Sequence, residues 1–542
     1  MRNKLLFVFA AFFVWAAATK AQSPAYTFNK GNISLDVTKN YLKRSAMVTG
    51  LLEMYPQRCG EAPTPASMEE KNAFHKFVKE VRPKMVMGIN LWTHAQWKLT
   101  NSCNTHFASC AEAATALHKI DNDIILSASL DEIISQDIGG KWQVKVPVDL
   151  LRSYNECVAK VMVANPEYGC NPLTISPPTS FKALEIAADS AIRMETYGYE
   201  VDITKPMAQL WYFYLAKRYI DSGFEMLRLG QIKLTAKHDT GYLKSFQLTR
   251  VIREYAKQHA RRGIVLFEEQ SKTTYFTPQG PAAEQICIFD VCGLPTRLYS
   301  RETVLPGQNL DLNGVPNPMP EQDYDVLLSK NSNGKPEWAD CGGGQTAYWG
   351  NIAQIPVYAE LDNIGDEAIW ATKAFGNPNA HAPQPNKDDT PGNGFPWGWD
   401  ECSWFYKQSL IFEQKWLASI YAQVKYLSNE AGVFCMPVRR PFVYHDANGQ
   451  PHSGMFNVYN RASANFKDVG ATIKNIWDQN APIISVKTSP RANRLPVRKH
   501  LKTRKLNPQT VKLAHVNSSS RQAIRGKGSL TVAPSTAPTK HK

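Results

Sequence analysis

Short apolar runs alternate along the chain with longer stretches in which apolar residues recur every three or four positions. The short runs are typical of buried strands, and the longer spacing is typical of amphipathic helices. Two of the runs end abruptly in acids: residues 355–359 lead into Glu360, and residues 263–267 lead into Glu268. The pattern predicts an α/β fold whose strands deliver carboxylates at their C-terminal ends.

Eight apolar runs can be counted, with amphipathic stretches between most of them. The predicted strands are 85–92, 124–130, 182–187, 224–231, 263–268, 286–292, 356–361 and 432–437. The predicted helices are 110–119, 148–163, 207–222, 243–262, 403–427 and 464–477. This count favours a (β/α)8 TIM barrel, in which the C-terminal ends of the strands build the active site.

A Rossmann-like or flavodoxin-like sheet is the main alternative for such an alternation. It would usually carry a Gly-rich phosphate-binding turn after its first strand, and none follows residues 85–92. The two longest insertions follow the sixth and seventh predicted strands. The barrel is therefore expected to carry long loops on its C-terminal face.

The first residues predict export. Arg2 and Lys4 precede an apolar stretch over 5–18, and a small-residue cleavage pattern ends at Ala21. These are the parts of a secretory signal peptide, predicted over 1–21, so the mature protein is expected to be secreted or periplasmic. The remaining domains are predicted to be an N-terminal extension packed on the barrel (22–80), the barrel itself (81–482) and a disordered basic tail (483–542).

The net charge of +14 is concentrated in the tail. From Arg491 onward there are 13 Lys or Arg and no Asp or Glu, which leaves the preceding residues close to neutral. A nucleic-acid partner is therefore not expected for the globular part, whereas the tail could contact an anionic surface. The protein is expected to be a monomer.

The cysteines permit disulfides, and neither they nor the histidines indicate a metal site. Cys287, Cys292 and Cys435 lie in or beside strand-like runs and could equally be reduced and buried. All ten cysteines follow the signal peptide, and Cys103 with Cys110 and Cys157 with Cys170 are candidate disulfide pairs. No Cys or His cluster has the spacing of a zinc site, and no phosphate-binding motif is present. Neither a metal nor a cofactor is predicted.

The acids at the strand ends are the candidate catalytic residues. Two opposed carboxyls suffice for glycoside hydrolysis, because one gives a proton to the leaving oxygen while the other attacks carbon or activates water. The fifth and seventh strands are one strand apart, so Glu268 and Glu360 could face each other across the barrel mouth. Alternatively, these acids point outward and form ion pairs with the helices.

This arrangement resembles the large superfamily of (β/α)8 glycoside hydrolases whose nucleophile is a Glu at the tip of strand seven. The resemblance implies that Glu360 is the nucleophile of a carbohydrate hydrolase. That superfamily has its acid/base Glu at the tip of strand four, where this chain has Gln231. Either Glu268 supplies the proton instead, or the barrel belongs to another group, or it is catalytically inactive. The segments 224–231, 360–363 and 397–405 also resemble an uncharacterised group of exported bacterial proteins, a resemblance that brings no established activity.

Polar and aromatic residues near the predicted strand ends would orient a bound sugar, because flat aromatic faces stack on sugar rings. The predicted substrate-binding residues are Gln231, Asn90, Trp92, Asp290, Asp362, Trp397, Trp399 and Arg439. Two other functions stay open. The same groove would serve a non-catalytic glycan-binding or scaffold barrel, and His238 with Asp239 could take part in hydrolysis of another kind of bond.

Overall fold

A large, curled, mostly parallel sheet organises the chain. In the computed structural model, the described residues are 24–55, 65–88, 105–135, 143–187, 193–194, 198–230, 232–270, 275–277, 285–295, 342–361, 402, 405–406, 408–428, 432–445 and 451–480. The predicted signal peptide and basic tail lie outside these residues. The predicted mixed α/β class is confirmed.

The large sheet contains ten strands. They are β1 (Ser45–Val48), β2 (Met85–Met87), β3 (Ile125–Ser129), β4 (Met226–Arg228), β5 (Leu266–Glu269), β6 (Val291–Pro295), β7 (Val357–Glu360), β8 (Gly432–Phe434), β9 (Met436–His445) and β10 (Pro451–Asn457). Their spatial order is β8-β7-β6-β5-β4-β3-β2-β1-β9-β10. Every neighbouring pair is parallel except β9 with β10, which is antiparallel.

The two ends of the parallel order are consecutive in sequence. Only Cys435 separates β8, which pairs with β7, from β9, which pairs with β1. The N–H of Cys435 donates to the carbonyl oxygen of Ala359 at 2.8 Å, so the β7 pairing extends through this residue. One continuous piece of chain therefore contacts both the seventh strand and the first.

Helices cover the sheet, and the parallel strands are buried on both faces as this arrangement requires. The longer helices are α1 (Leu35–Leu42), α2 (Pro65–Val81), α3 (Thr105–Ile120), α4 (Leu150–Ala164), α5 (Pro206–Asp221), α6 (Leu243–His259), α7 (Leu410–Leu427) and α8 (Gly470–Gln479). Each helix contacts the next in the order α7, α8, α2, α3, α5, α6. In addition, α4 packs on α5 and α6. The helices thus follow the curl of the sheet.

Short elements lie outside the large sheet. The short strands are Ile133–Ser135, Gln143–Lys145, Ser180–Lys182, Arg193–Met194, Gly198–Glu200, Tyr275–Phe276, Ile286–Cys287, Gly344–Gln345 and Asn351–Ile352. The short helices are Pro24–Tyr26, Leu51–Met54, Pro166–Tyr168, Ala183–Ile186, Ile232–Thr235 and Thr240–Tyr242. Most of these elements belong to insertions that follow β3 and β5.

Three details of the predicted strand order are wrong. Residues 182–187 are not a strand of the large sheet: Ser180–Lys182 pairs antiparallel with Gln143–Lys145, and a short helix follows. The parallel strand that the prediction lacks is β1. It belongs to the segment before residue 81, predicted as an extension packed on the barrel. The sixth predicted strand divides in two, because Ile286–Cys287 joins a small sheet and only β6 enters the large one.

An ion cluster closes the N-terminal end of β4. Glu225 is fully buried and accepts hydrogen bonds from Arg261 Nη2 at 2.7 Å and from Arg262 Nε at 2.9 Å. Arg262 also donates to the hydroxyl of Tyr41 on α1 at 2.6 Å, and its guanidinium lies 4.6 Å from the ring centre of Phe28. The cluster ties the N-terminal segment to the sheet.

One further expectation, the disulfide pairing, can be compared with the fold. Cys110, Cys157 and Cys170 are free and buried, so the predicted disulfide between Cys157 and Cys170 is wrong. Cys103 lies outside the described residues. None of the helices in the described part of the chain is long and apolar enough to span a bilayer.

Candidate functional site

A single guanidinium joins the two predicted catalytic carboxylates. Arg228 Nε lies 2.8 Å from Glu268 Oε2, and Arg228 Nη2 lies 2.7 Å from Glu360 Oε1. The three side chains are at most 3% exposed. Glu268 and Glu360 therefore belong to one buried charge cluster with Arg228, and the expectation that acids at these positions point outward to the helices is wrong for both.

Strand register explains why these residues meet. Arg228 is the cross-strand partner of Glu268, and both lie at the C-terminal ends of neighbouring strands, β4 and β5. Glu360 ends β7, and its contact with Arg228 places its side chain on the same face of the sheet. Charges at the ends of three strands thus converge on one side of the sheet.

Two more polar side chains approach the charge cluster. Gln270 Nε2 donates to Glu360 Oε1 at 3.4 Å, a long hydrogen bond. Tyr358, two residues before Glu360, is fully buried on the same strand. A Cβ atom on Gly293 would collide with both the Tyr358 hydroxyl and Glu268 Oε1. Glycine at this position on β6 therefore makes room for the phenol and the carboxylate.

A further carboxyl pair lies at the end of β3. Asp131 has φ of 56°, an unusual value for a residue other than glycine, and its carbonyl oxygen accepts a hydrogen bond from Tyr212 at 2.8 Å. A Cβ atom on Gly230 would collide with the carboxylate of Glu132, so Glu132 packs directly on the chain after β4. Strained backbone of this kind is frequent at functional sites.

The carboxyl group of Asp131 has a higher pKa than an ordinary surface aspartate. Burial, and then the neighbouring charge of Glu132, raise its pKa well above the usual 3.8. A hydrogen bond from Ser129 and the charge of Arg228 oppose this shift without cancelling it. Asp131 therefore holds its proton to higher pH than a solvated aspartate.

Two predicted substrate-binding residues lie in other ion clusters. Asp290 Oδ2 bonds Arg253 of α6 at 2.6 Å and accepts the Phe267 N–H at 2.8 Å. Arg439 bonds Glu53 at 2.8 Å and Glu70 at 3.0 Å. The structure brings neither residue into contact with Arg228. Their role in binding substrate stays a prediction.

The remaining predicted site residues cannot be placed. Gln231, Asn90, Trp92, Asp362, Trp397 and Trp399 lie outside the described residues. Asp239 is described, and its carboxylate accepts the N–H groups of Lys244 at 2.9 Å and Ser245 at 2.8 Å, so it serves the first turn of α6. In the described parts of the chain, no group of three or more His, Cys, Asp or Glu side chains is arranged to hold a metal.

Arg228 and Tyr358 are not among the site residues predicted from the sequence. Both lie inside runs that predict strands, where a polar residue could face a helix or the interior equally well. The available signal was the two-residue spacing between Tyr358 and the strand-end acid Glu360. For Arg228 the signal was a charge within an otherwise apolar strand, which needs a buried counter-ion.

No protein-family model matches the chain, and no curated protein matches it. Among solved structures it is similar to a crystal structure described as a "Putative alpha Amylase from Salmonella typhimurium". The TM-score is 0.29 and the identity 8%, over 66% of this chain and 52% of that one. The chain therefore spans about half the length of that protein, and the similarity is too weak to support an assignment. The predicted resemblance to exported bacterial proteins stays a prediction.

Proposed function

We propose that the protein is an exported (β/α)8-barrel glycoside hydrolase that uses Glu360 and Glu268 as its catalytic pair. The observation that carries the proposal is the shared contact of both carboxylates with Arg228. Because one guanidinium contacts both carboxylates, the two acids lie close together, as the carboxyl pair of a glycosidase must. Both come from the strand ends, where barrel enzymes build their sites.

The ends of the sheet support the barrel part of the proposal. β8 pairs with β7 and β9 pairs with β1, and only Cys435 separates them. If β8 and β9 act as one strand, the parallel strands close into a ring of eight. Such a ring would direct the Glu268–Arg228–Glu360 cluster towards its central axis.

The proposed chemistry follows from the two carboxyls. Glu360 attacks the anomeric carbon while Glu268 gives its proton to the departing glycosidic oxygen, which breaks the bond and leaves a glycosyl ester on Glu360. Water then gives a proton to Glu268 and attacks the same carbon, which frees Glu360. Arg228 orients Glu360 and stabilises its negative charge when the ester is released.

A non-catalytic carbohydrate-binding barrel is the second candidate. The observation that favours it is the complete burial of Glu268 and Glu360 in ion pairs with Arg228, since buried ion pairs also occur as structural elements. Under this proposal the carboxylates would only accept hydrogen bonds from a sugar. Export by the signal peptide and contact of the basic tail with an anionic surface are proposed for either function.

The test is a screen of the purified protein against aryl glycosides and neutral polysaccharides. We expect Glu360→Gln and Glu268→Gln each to lower kcat/KM by about 10²-fold or more, while Glu167→Gln, an exposed control, leaves it unchanged. Glu268→Gln should retain more activity on aryl glycosides with acidic leaving groups, which need no proton. Full activity of Glu360→Gln would end the assignment, and binding without turnover by the unmodified protein would favour the second candidate.

A further inference from the structure

Tyr358 reaches across one strand to the charge cluster. Its cross-strand partner on β6 is Gly293, and a side chain at that position would collide with both the Tyr358 hydroxyl and Glu268 Oε1. The phenol of β7 therefore leans over β6 towards the carboxylate of β5. Because Tyr358 and Glu360 are two residues apart on one strand, both face the same side.

The hydroxyl of Tyr358 is fully buried, and no described residue hydrogen-bonds to it. Burial raises the pKa of Tyr358 well above 10, Arg228 opposes the shift, and Glu268 and Glu360 add to it. The phenol is therefore a proton-bearing donor across the working range of the protein. A buried donor without a partner is costly, and its position beside two candidate catalytic carboxylates suits a group that a bound ligand completes.

We propose that Tyr358 is a ligand-binding residue whose hydroxyl donates a hydrogen bond to a neutral, hydroxyl-rich ligand bound beside Glu268 and Glu360. This inference rests on the proposed carbohydrate function. A sugar hydroxyl both donates and accepts, so it can bond a carboxylate and a phenol at once. A uronate or a sulfated sugar would place a further negative charge beside Glu268 and Glu360, which repel it, so the proposed ligand is a neutral sugar.

Tyr358→Phe isolates the hydroxyl, since the ring and its packing are retained. We expect its melting temperature to equal or exceed that of the unmodified protein, because the variant no longer buries an unsatisfied donor. Its KM or Kd for the neutral glycoside identified by the screen should rise about threefold to tenfold, the range for one hydrogen bond. The matched control is Tyr154→Phe, because the Tyr154 hydroxyl donates to Gln209 at 3.2 Å between α4 and α5. That variant should lose stability and keep its affinity.

The outcomes separate this inference from the proposed function. A melting temperature that falls as in Tyr154→Phe would show that the Tyr358 hydroxyl is structural and would overturn the inference, as would unchanged affinity in an active protein. If the unmodified protein neither binds nor cleaves any neutral carbohydrate, the proposed function fails. A raised melting temperature would then still support an unsatisfied hydroxyl, but the sugar as its ligand would be ruled out.

Discussion

The two ends of strand β4 carry buried ion clusters of opposite composition. At the N-terminal end, the carboxylate of Glu225 is bonded by two guanidiniums, those of Arg261 and Arg262. At the C-terminal end, the guanidinium of Arg228 is bonded by two carboxylates. One carboxylate thus contacts two guanidiniums at the first end, and one guanidinium contacts two carboxylates at the second.

This difference separates a structural cluster from a candidate active site. Arg261 and Arg262 saturate Glu225 and also bond the chain around Asn122 and Tyr41, so the first cluster holds elements together. In the second cluster one guanidinium holds two carboxylates side by side, and positioned carboxyls are groups that can carry out acid–base catalysis. In the proposed barrel, the first cluster would lie on the stabilising N-terminal face and the second on the functional C-terminal face.

The largest expected effect is a loss of protein stability when the cluster at the N-terminal end of β4 is disrupted. Glu225→Gln removes the counter-ion of two partly buried guanidiniums and should lower the free energy of unfolding by about 3–5 kcal/mol. Urea denaturation measures it, with the exposed Glu167→Gln as control. Below the lowered melting temperature kcat should be retained. A loss of activity without a loss of stability would contradict the structural role of the Glu225 cluster.

The same cluster predicts a pH dependence. Burial acts to raise the pKa of Glu225, but the charges and hydrogen bonds of Arg262 and Arg261 outweigh it, so the pKa is lowered from 4.5. A lowered pKa means that the stabilisation is present above about pH 4.5 and is lost as the pH falls through the folded-state value. The stability difference between the unmodified protein and Glu225→Gln should therefore shrink in acid.

A smaller effect is expected from Arg228→Lys at the opposite end. Lysine keeps the charge but lacks the planar fork that bonds Glu268 and Glu360 together. We expect kcat/KM to fall by about 10²-fold because the carboxylates lose their alignment, with a stability loss of only about 1–3 kcal/mol. Arg152→Lys on the surface of α4 is the control. If only stability changed, the second cluster would be structural, like the first.

The smallest effect concerns Asp131. Because its pKa is raised, the folded protein retains a proton that the unfolded chain releases near pH 3.8, so this residue destabilises the fold as the pH rises above that value. Asp131→Asn removes the ionisation and suits the positive φ, so it should stabilise the protein by about 1 kcal/mol at pH 7 and by less at pH 4. The exposed Asp149→Asn serves as control in thermal unfolding at both pH values. An equal gain in stability at pH 7 and pH 4 would contradict the raised pKa of Asp131.

Much of the fold could be predicted from apolar periodicity. The strands β2, β3, β4, β5, β7 and β8 all lie within or beside predicted runs, because parallel strands buried on both faces need continuous apolar residues. The strand β1 was missed because its Ser45-Ala-Met-Val48 stretch is too short to stand out. Periodicity predicts a strand over 182–187 because a short apolar run has the same composition in a strand, a helix or a small sheet.

The sequence by itself determined the α/β class and the positions of Glu268 and Glu360 at strand ends, because those features depend on local periodicity. Only the tertiary structure decided what these acids contact. Arg228 lies well over 100 residues from Glu360 along the chain, and their ion pair exists because β4 and β7 curl towards each other. Periodicity fixes the spacing of side chains on one strand, whereas the face they share and the partner they meet depend on how distant strands are paired.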